Sequence, residues 1–230
     1  KDGSVAEEIT FSGGKRDGRS TVWLTPEERQ EEKFYKNGKL DGPSTFWENG
    51  YRSTMTTYKS DSPEGPWVIW YSNSDQIKEQ GFHQRGIREG LTTYYYEDGT
   101  MQREGFFKEG LPDGMWTYWN KKGEKDFDFD FGSGLQHISL EDLVERESTF
   151  YKLGEDTPFT GIITQENPEA DYLFLGRTKG GKKDGQWVKW FPSGKDVPEI
   201  ILVDVPDPEP VLPWSGGKQE QGGYKDGEKH

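Results

Sequence analysis

The chain has no cysteine among its 230 residues, which excludes disulfide bonds, thiolate metal ligands and cysteine nucleophiles. It also has no apolar run near the ~20 residues that a membrane-spanning helix needs, so we expect no transmembrane segment. Its three histidines, at positions 83, 137 and 230, lack the spacing of a metal-binding motif. We therefore expect no metal site, no cofactor and no catalytic residue.

Aliphatic side chains are scarce as well. Only 30% of the residues are hydrophobic, and aromatic residues alone make up 14% of the chain. Disordered chains are poor in large rings, so this composition indicates a folded protein. The core is expected to be thin and built from rings, each of which buries roughly 150–250 Å².

Acidic residues outnumber basic ones: the chain has 42 aspartates and glutamates but 29 lysines and arginines, which gives a formal net charge of -13. This balance disfavours binding to nucleic acid phosphates and to anionic membrane surfaces. A neutral ligand or a basic protein surface is easier to accommodate.

One short motif recurs along the chain: an acidic residue, a glycine, and an aromatic residue five positions after that glycine. The glycines, which we interpret as repeat-turn glycines, are Gly18, Gly42, Gly65, Gly90, Gly114 and Gly185. The aromatic residues are Trp23, Trp47, Trp70, Tyr95, Trp119 and Trp190. The first five glycines are 24, 23, 25 and 24 positions apart, which indicates a tandem repeat.

Each repeat has the features of a β-hairpin. Acid–Gly steps and Asn-Gly pairs such as Asn49-Gly50 favour the positive φ angles of tight turns. The segments between them are short and rich in strand-forming residues, for example Met115 to Trp119. An isolated hairpin is marginally stable in water, so successive hairpins must stack. The sequence predicts an all-β, elongated array of antiparallel hairpin repeats.

The recurring aromatic residues form a predicted ladder, with equivalent rings side by side in neighbouring hairpins. Two interpretations remain open for this ladder. The rings can pack one hairpin against the next, or they can form a platform for a sugar or for a partner's side chains. Packing is the favoured explanation, and the ladder is kept as a candidate binding surface.

The pattern divides the chain into three segments. Residues 1–131 form the first repeat block, 132–150 a linker with one short helix, and 151–230 a second, less regular block. In the linker, Ser139 is a candidate N-cap, with Ile138 packed on Leu143 and a helix of about two turns. In the second block, the four prolines between positions 204 and 213 predict an irregular insertion.

Both ends of the chain fall inside a repeat. The first residue is Lys1 rather than Met, and the last residues read as the start of a further unit. We therefore expect a fragment of a longer array whose N-terminus is missing. The compartment stays open between the cytoplasm and the cell envelope or exterior.

Two motifs invite a chemical interpretation. The segment 176–183 nearly matches a phosphate-binding loop, but Lys183 replaces the required Ser or Thr and a strand pattern follows, so we predict a repeat turn. Asp126, Asp128 and Asp130 alternate with phenylalanines, which favours a solvated strand face over a calcium loop. The acids of the acid–Gly steps recur in every unit, as expected for a structural role rather than a catalytic pair.

The repeats resemble the MORN-variant repeats of bacterial YwqK-like proteins, an antitoxin family. The resemblance rests on residues 35–42, residues 105–110, residues 224–227 and the Pro-Phe-Thr-Gly segment at 158–161. It covers about three quarters of the chain. It implies a non-catalytic scaffold that binds another protein, in the case of an antitoxin a toxin.

A second hypothesis is a carbohydrate-binding array. Aromatic hairpin repeats of ~20 residues also occur in choline- and glucan-binding modules, which these units resemble loosely. The partner is therefore expected to be another protein, with a glycan as the alternative and nucleic acid excluded.

Overall fold

The computed structural model of the protein describes residues 6–167, 172–191, 222–225 and 228–229. Almost all of these residues lie in strands or in the short turns between them, so the prediction of an all-β array of antiparallel hairpins is confirmed. The chain divides into two compact units, Lys1–Pro112 and Asp113–His230. The repeat blocks at 1–131 and 151–230 are defined by sequence pattern and stay a prediction.

The N-terminal unit is one antiparallel sheet whose strands follow each other in chain order. Its strands are β1 (Glu7–Ser12), β2 (Lys15–Trp23), β3 (Arg29–Lys36), β4 (Lys39–Glu48), β5 (Tyr51–Lys59), β6 (Ser62–Trp70), β7 (Ile77–Gln84), β8 (Ile87–Arg88), β9 (Gly90–Tyr95) and β10 (Met101–Lys108). Each strand pairs with the next, except that β7 pairs with both the two-residue β8 and with β9.

Four of the six acid–Gly steps lie inside strands, and in the other two the acid immediately precedes a strand that begins at the glycine, so none forms a hairpin turn. Asp41 and Gly42, for example, lie in β4, where they and Pro43 face the single residue Phe34 of β3 in a bulge. A Cβ on Gly42 would lie 2.9 Å from the Cβ of Phe34, and the φ of Gly42 is 130°. Close approach and positive φ therefore both require glycine at this position.

The other five repeat glycines have positive φ too, as expected, but none forms the turn itself. They lie within strands or at the first residue of a strand: Gly18 in β2, Gly65 in β6, Gly90 at the start of β9, and Gly114 and Gly185 in the C-terminal unit. The hairpin turns are formed instead by pairs such as Asn37-Gly38 and Arg85-Gly86. The sequence motif therefore marks a recurring bulge and not a turn. The residues of the turn pairs differ from one hairpin to the next, whereas the glycine of the bulge is the same in each repeat.

The position two residues after each repeat glycine is buried throughout. The residues at this position are Ser20, Ser44, Trp67, Thr92, Trp116 and Trp187. In the N-terminal unit, their cross-strand neighbours include two glycines, so that Trp67 lies beside Gly81 and Thr92 beside Gly105. The core of this unit includes this row of small residues and rings, and the residues that follow two of them in sequence, Thr21 and Thr93, are buried as well.

The C-terminal unit contains three groups of paired strands. Its strands are β11 (Leu111–Trp119, which begins at the boundary), β12 (Lys125–Asp130), β13 (His137–Ser139), β14 (Leu143–Arg146), β15 (Thr149–Lys152), β16 (Gly161–Asn167), β17 (Tyr172–Lys179), β18 (Lys182–Lys183), β19 (Gly185–Trp190), β20 (Gly222–Lys225) and β21 (Glu228–Lys229). Strands β11 and β12 form a hairpin, as do β14 and β15. The remaining strands form a sheet in the order β13-β16-β17-β19-β20-β21, with β18 paired to β17 and β13 parallel to β16.

The core of this second sheet joins several elements. Phe150, Phe159, Ile163 and Trp187 form a buried cluster. Partly buried aliphatic and aromatic side chains pack around the cluster: Ile138, Leu140, Leu143 and Phe174. The prolines predicted to form an insertion, at positions 204–213, lie outside the described residues.

The predicted helix is present but much shorter than expected. Leu140–Asp142 form a single turn of 3-10 helix between β13 and β14. Ser139 precedes it in an extended conformation and its side chain makes no capping hydrogen bond, so the predicted N-cap is wrong. The apolar residues that suggested an amphipathic helix, Ile138 and Leu143, instead pack on the core from the two flanking strands.

Candidate binding surfaces

The structure places the six ladder residues in two kinds of environment. Trp23, Trp47, Tyr95 and Trp119 are half-buried, whereas Trp70 and Trp190 are buried. A bulge separates each of the first five rings from the residue before it, as between Phe46 and Trp47. The bulge recurs in each repeat, so the rings keep equivalent positions along the sheet.

Arginine side chains are stacked on two of the ladder rings. The guanidinium of Arg29 lies 5.2 Å from the ring centroid of Trp47, and that of Arg52 lies 4.7 Å from that of Trp70. In both pairs the arginine precedes the ring by eighteen positions and comes from the neighbouring strand. These contacts join successive hairpins, and each is worth about 0.5–1 kcal/mol at an exposed site. Sequence reasoning missed them, although the arginines follow the same period as the rings.

A groove of about 520 Å³ lies at the N-terminal end of the ladder. It is lined by Trp23, Thr25, Glu27, Glu28, Arg29, Trp47 and Gly50. We call it the Trp23–Trp47 groove. Arg29 contacts the Trp47 ring, but among the described residues no lysine or arginine is stacked on the ring of Trp23. Its two glutamates belong to the β2–β3 loop, where Glu28 is anchored by its backbone to Thr25.

Trp190 belongs to an aromatic cluster within the C-terminal unit. Its ring centroid lies 5.1 Å from that of Tyr118 and 6.0 Å from that of Phe127, both in edge-to-face geometry. Its indole N–H donates a hydrogen bond of 3.0 Å to Asp126, which is itself buried. This ladder residue is only 1% exposed, so it has a structural role.

The three alternating aspartates do not form a metal site. Asp126 bonds to Trp190, Asp128 accepts a hydrogen bond of 2.9 Å from Thr117, and Asp130 accepts one from the backbone of Gly132. The intervening phenylalanines at 127, 129 and 131 are buried, as expected, but the burial of Asp126 departs from the predicted solvated face. In the described part of the chain, no group of three or more histidines and acids is arranged to hold a metal ion.

Four of the six acids of the repeat motif hold the turn of the following hairpin. In these four the backbone N–H of the first turn residue donates to the acid side chain, 19 to 21 positions earlier: Asn37 to Asp17, Ser60 to Asp41, Arg85 to Glu64, and Glu109 to Glu89. The next N–H donates to the carbonyl just before the acid, as from Gly86 to Pro63 at 2.9 Å. We call this pair of hydrogen bonds the turn latch.

The turn latch recurs in the C-terminal unit with a different side chain. The N–H of Gly180 donates to Thr160 Oγ1 at 2.8 Å, and the N–H of Gly181 donates to the carbonyl of Phe159 at 2.8 Å. The Thr160-Gly161 step is thus equivalent to an acid–Gly step. The phosphate-loop-like segment is the hairpin turn between β17 and β18, as predicted.

An exposed row of apolar side chains crosses the N-terminal sheet on the face opposite Trp67. Pro66 pairs with Phe82, and Leu91 pairs with Phe106. Gln80 of β7 pairs with Thr93 of β9. Two residues further along each strand, in the same register, Phe82 lies beside Leu91. Phe82, Leu91 and Phe106 are 44%, 47% and 57% exposed. We call these four residues the apolar row; sequence reasoning did not find it, because its members belong to four strands.

One half-buried charge cluster lies on the Trp67 face. Arg88 donates to the hydroxyl of Tyr94 at 2.9 Å, lies 3.2 Å from Glu79, and stacks 4.4 Å from the Trp67 ring. Burial raises the pKa of Tyr94, and burial together with Arg88 lowers the pKa of His83. His83 also packs against Trp67, as expected for a residue with a packing role. Arg88, Tyr94 and Glu79 satisfy one another by hydrogen bonds, whereas Trp67 Nε1 and His83 Nδ1 are buried without a hydrogen-bond partner among the described residues.

No family model and no curated protein matches this chain. Within the described residues, no helix is long and apolar enough to span a membrane.

Proposed function

We propose that the protein is a non-catalytic repeat scaffold that binds another protein, as a member of the YwqK-like antitoxin family with MORN-variant repeats would. The apolar row carries this proposal. It presents two phenylalanines, a leucine and a proline on adjacent strands of a rigid sheet.

The composition of the surface supports a protein partner. Contiguous exposed apolar side chains on a soluble protein mark interaction sites. Protein interfaces combine an apolar centre with a polar rim. On the same face, the neighbouring positions along the strands include the half-buried polar residues Gln80 and Glu104, so the apolar row has this arrangement.

The alternative is a carbohydrate-binding module. The half-exposed rings of Trp23 and Trp47 along one groove favour it, because sugars stack on indole faces. The arginines stacked on Trp47 and Trp70 count against it, since they occupy ring faces that a sugar would need.

The proposal is tested by capturing partners from a lysate of the native host with the immobilised chain. A specific protein should be recovered, and the double variant Phe82→Lys with Phe106→Lys should lose it. Phe11→Lys is the matched control, because Phe11 is 58% exposed and lies outside the apolar row. Recovery of no protein, or equal recovery with the double variant, would contradict the proposal. Binding to a glycan array, measured in parallel, tests the alternative of a carbohydrate-binding module.

The antitoxin role has its own test. If the protein neutralises a toxin, co-expression with the product of the adjacent gene should restore growth that this product alone arrests. The same double variant should fail to restore growth. An adjacent gene product without toxicity would contradict the antitoxin role and leave the scaffold function standing.

A further inference from the structure

We propose that the Trp23–Trp47 groove binds an arginine side chain of the partner protein. This inference rests on the proposed scaffold function and names the chemistry of one contact. It is carried by the contents of the groove, by the way the chain uses its other ladder rings, and by charge.

Two of the six ladder rings have an arginine of the same chain stacked on them. Arg29 covers Trp47 and Arg52 covers Trp70, each from eighteen positions earlier in the sequence. The same count back from Trp23 reaches Val5, which has no charge, and from Tyr95, Trp119 and Trp190 it reaches uncharged residues as well. Among the described residues, no lysine or arginine is stacked on the ring of Trp23.

The groove is also electrostatically suited to a cation. Glu27 and Glu28 line it, and both carboxylates belong to a loop that the backbone holds in place. The cation in the lining, Arg29, is engaged by Trp47 and lies 3.5 Å from Glu32. An incoming guanidinium can therefore stack on the indole of Trp23 while its N–H groups bond to the glutamates. Arginine fits this combination best, because its planar group stacks on aromatic rings and pairs with carboxylates.

The contact is tested by titrating the full chain with the peptide acetyl-Gly-Arg-Gly-amide. Binding is measured from the indole N–H signals in ¹⁵N–¹H NMR spectra. The signals of Trp23 and Trp47 should shift and saturate, while that of the buried Trp190 should not move. Acetyl-Gly-Glu-Gly-amide should produce no shift. Equal shifts with both peptides, or none with the arginine peptide, would overturn the inference.

Variants separate the two elements of the site. Trp23→Leu should weaken binding about two- to fivefold, since an exposed cation–π contact is worth about 0.5–1 kcal/mol. The pair Glu27→Gln and Glu28→Gln removes two charges from an exposed loop and should weaken binding by a similar factor without affecting folding. The matched control, Glu109→Gln with Glu141→Gln, removes two exposed charges elsewhere and should bind as the natural chain does. Unchanged binding by the Glu27 and Glu28 pair would overturn the inference.

The same variants distinguish this inference from the proposed function. If a captured partner is lost with the apolar-row variant but retained in full by Trp23→Leu, the scaffold function stands and the arginine contact is wrong. If the peptide binds but no protein is ever captured, the groove stands as a cation site and the scaffold function fails.

Discussion

In the N-terminal unit the largest fully buried side chains are those of Thr21, Thr92 and Ser44, whereas in the C-terminal unit they include Trp190, Tyr118 and Phe129. The first unit is one sheet whose rings cover glycines and carry arginines. The second brings strands together around clustered rings. The same repeat therefore supports two kinds of packing, and a ring in the first unit should contribute less to stability than one in the second.

The largest contrast is expected from ladder tryptophans replaced by alanine. Trp190→Ala should lower the free energy of unfolding by about 3–5 kcal/mol, because it leaves a cavity between Tyr118 and Phe127. Trp70→Ala should cost about half as much, since Trp70 is 8% exposed against 1% for Trp190 and the guanidinium of Arg52 lies over its ring. Urea unfolding of both variants measures the difference. Equal losses would show that the two units do not differ in packing.

Glycines beneath rings give the next contrast. A Cβ at Gly176 would lie 2.7 Å from Trp187, whose ring is held by Phe150 and Phe174. A Cβ at Gly81 would lie 2.7 Å from Thr92 Oγ1 and 2.8 Å from Trp67.

Gly176→Ala should therefore cost about 2–3 kcal/mol and Gly81→Ala about 1–2 kcal/mol, as typical for overpacking. Thermal unfolding would measure both losses. Neither glycine has positive φ, so alanine strains only the packing. A larger loss for Gly81→Ala would mean that the single sheet is the more rigid unit.

The turn latch should contribute equally in both units. Glu64→Ala and Thr160→Val each remove the acceptor for one backbone N–H, of Arg85 and of Gly180. Each should cost about 1 kcal/mol and speed amide exchange at that turn. Glu64→Gln and Thr160→Ser keep an acceptor oxygen and serve as controls. Unchanged exchange at the turns would show that the latch does not hold them.

The smallest effect is expected from the stacked cations. Arg52→Met should cost about 0.5–1 kcal/mol, because Arg52 lies over Trp70 and links two hairpins. Lys183→Met should cost less, although Lys183 lies 4.9 Å from the Trp187 ring, because other rings already hold Trp187. Urea unfolding of the two variants compares them. If Lys183→Met lowers the free energy of unfolding more than Arg52→Met does, stacked cations contribute most to stability in the unit with the denser core.

Features with a fixed period in the sequence could be predicted. The spacing of Gly18, Gly42 and Gly65 indicated hairpin repeats, and their positive φ followed from the residue type. His83 occupies the position that Tyr35 and Phe107 hold in other repeats, so its packing against Trp67 follows from the repeat pattern. The helix near Ser139 was overestimated, because Ile138 and Leu143 have the spacing of a hydrophobic staple around an N-cap but pack from two different strands.

The sequence alone determined the all-β class and the repeat, because turn-forming glycines and strand-forming rings act locally and recur every 24 residues or so. Only the tertiary structure decided what the repeated residues contact. Two bulges in each repeat shift the register between neighbouring strands. Because of this shift, the acids of the repeat motif bond to a turn instead of forming one, and arginines stack on Trp47 and Trp70. The register also places the residues of the apolar row side by side. Such contacts depend on register between strands, which a residue pattern along one strand does not encode.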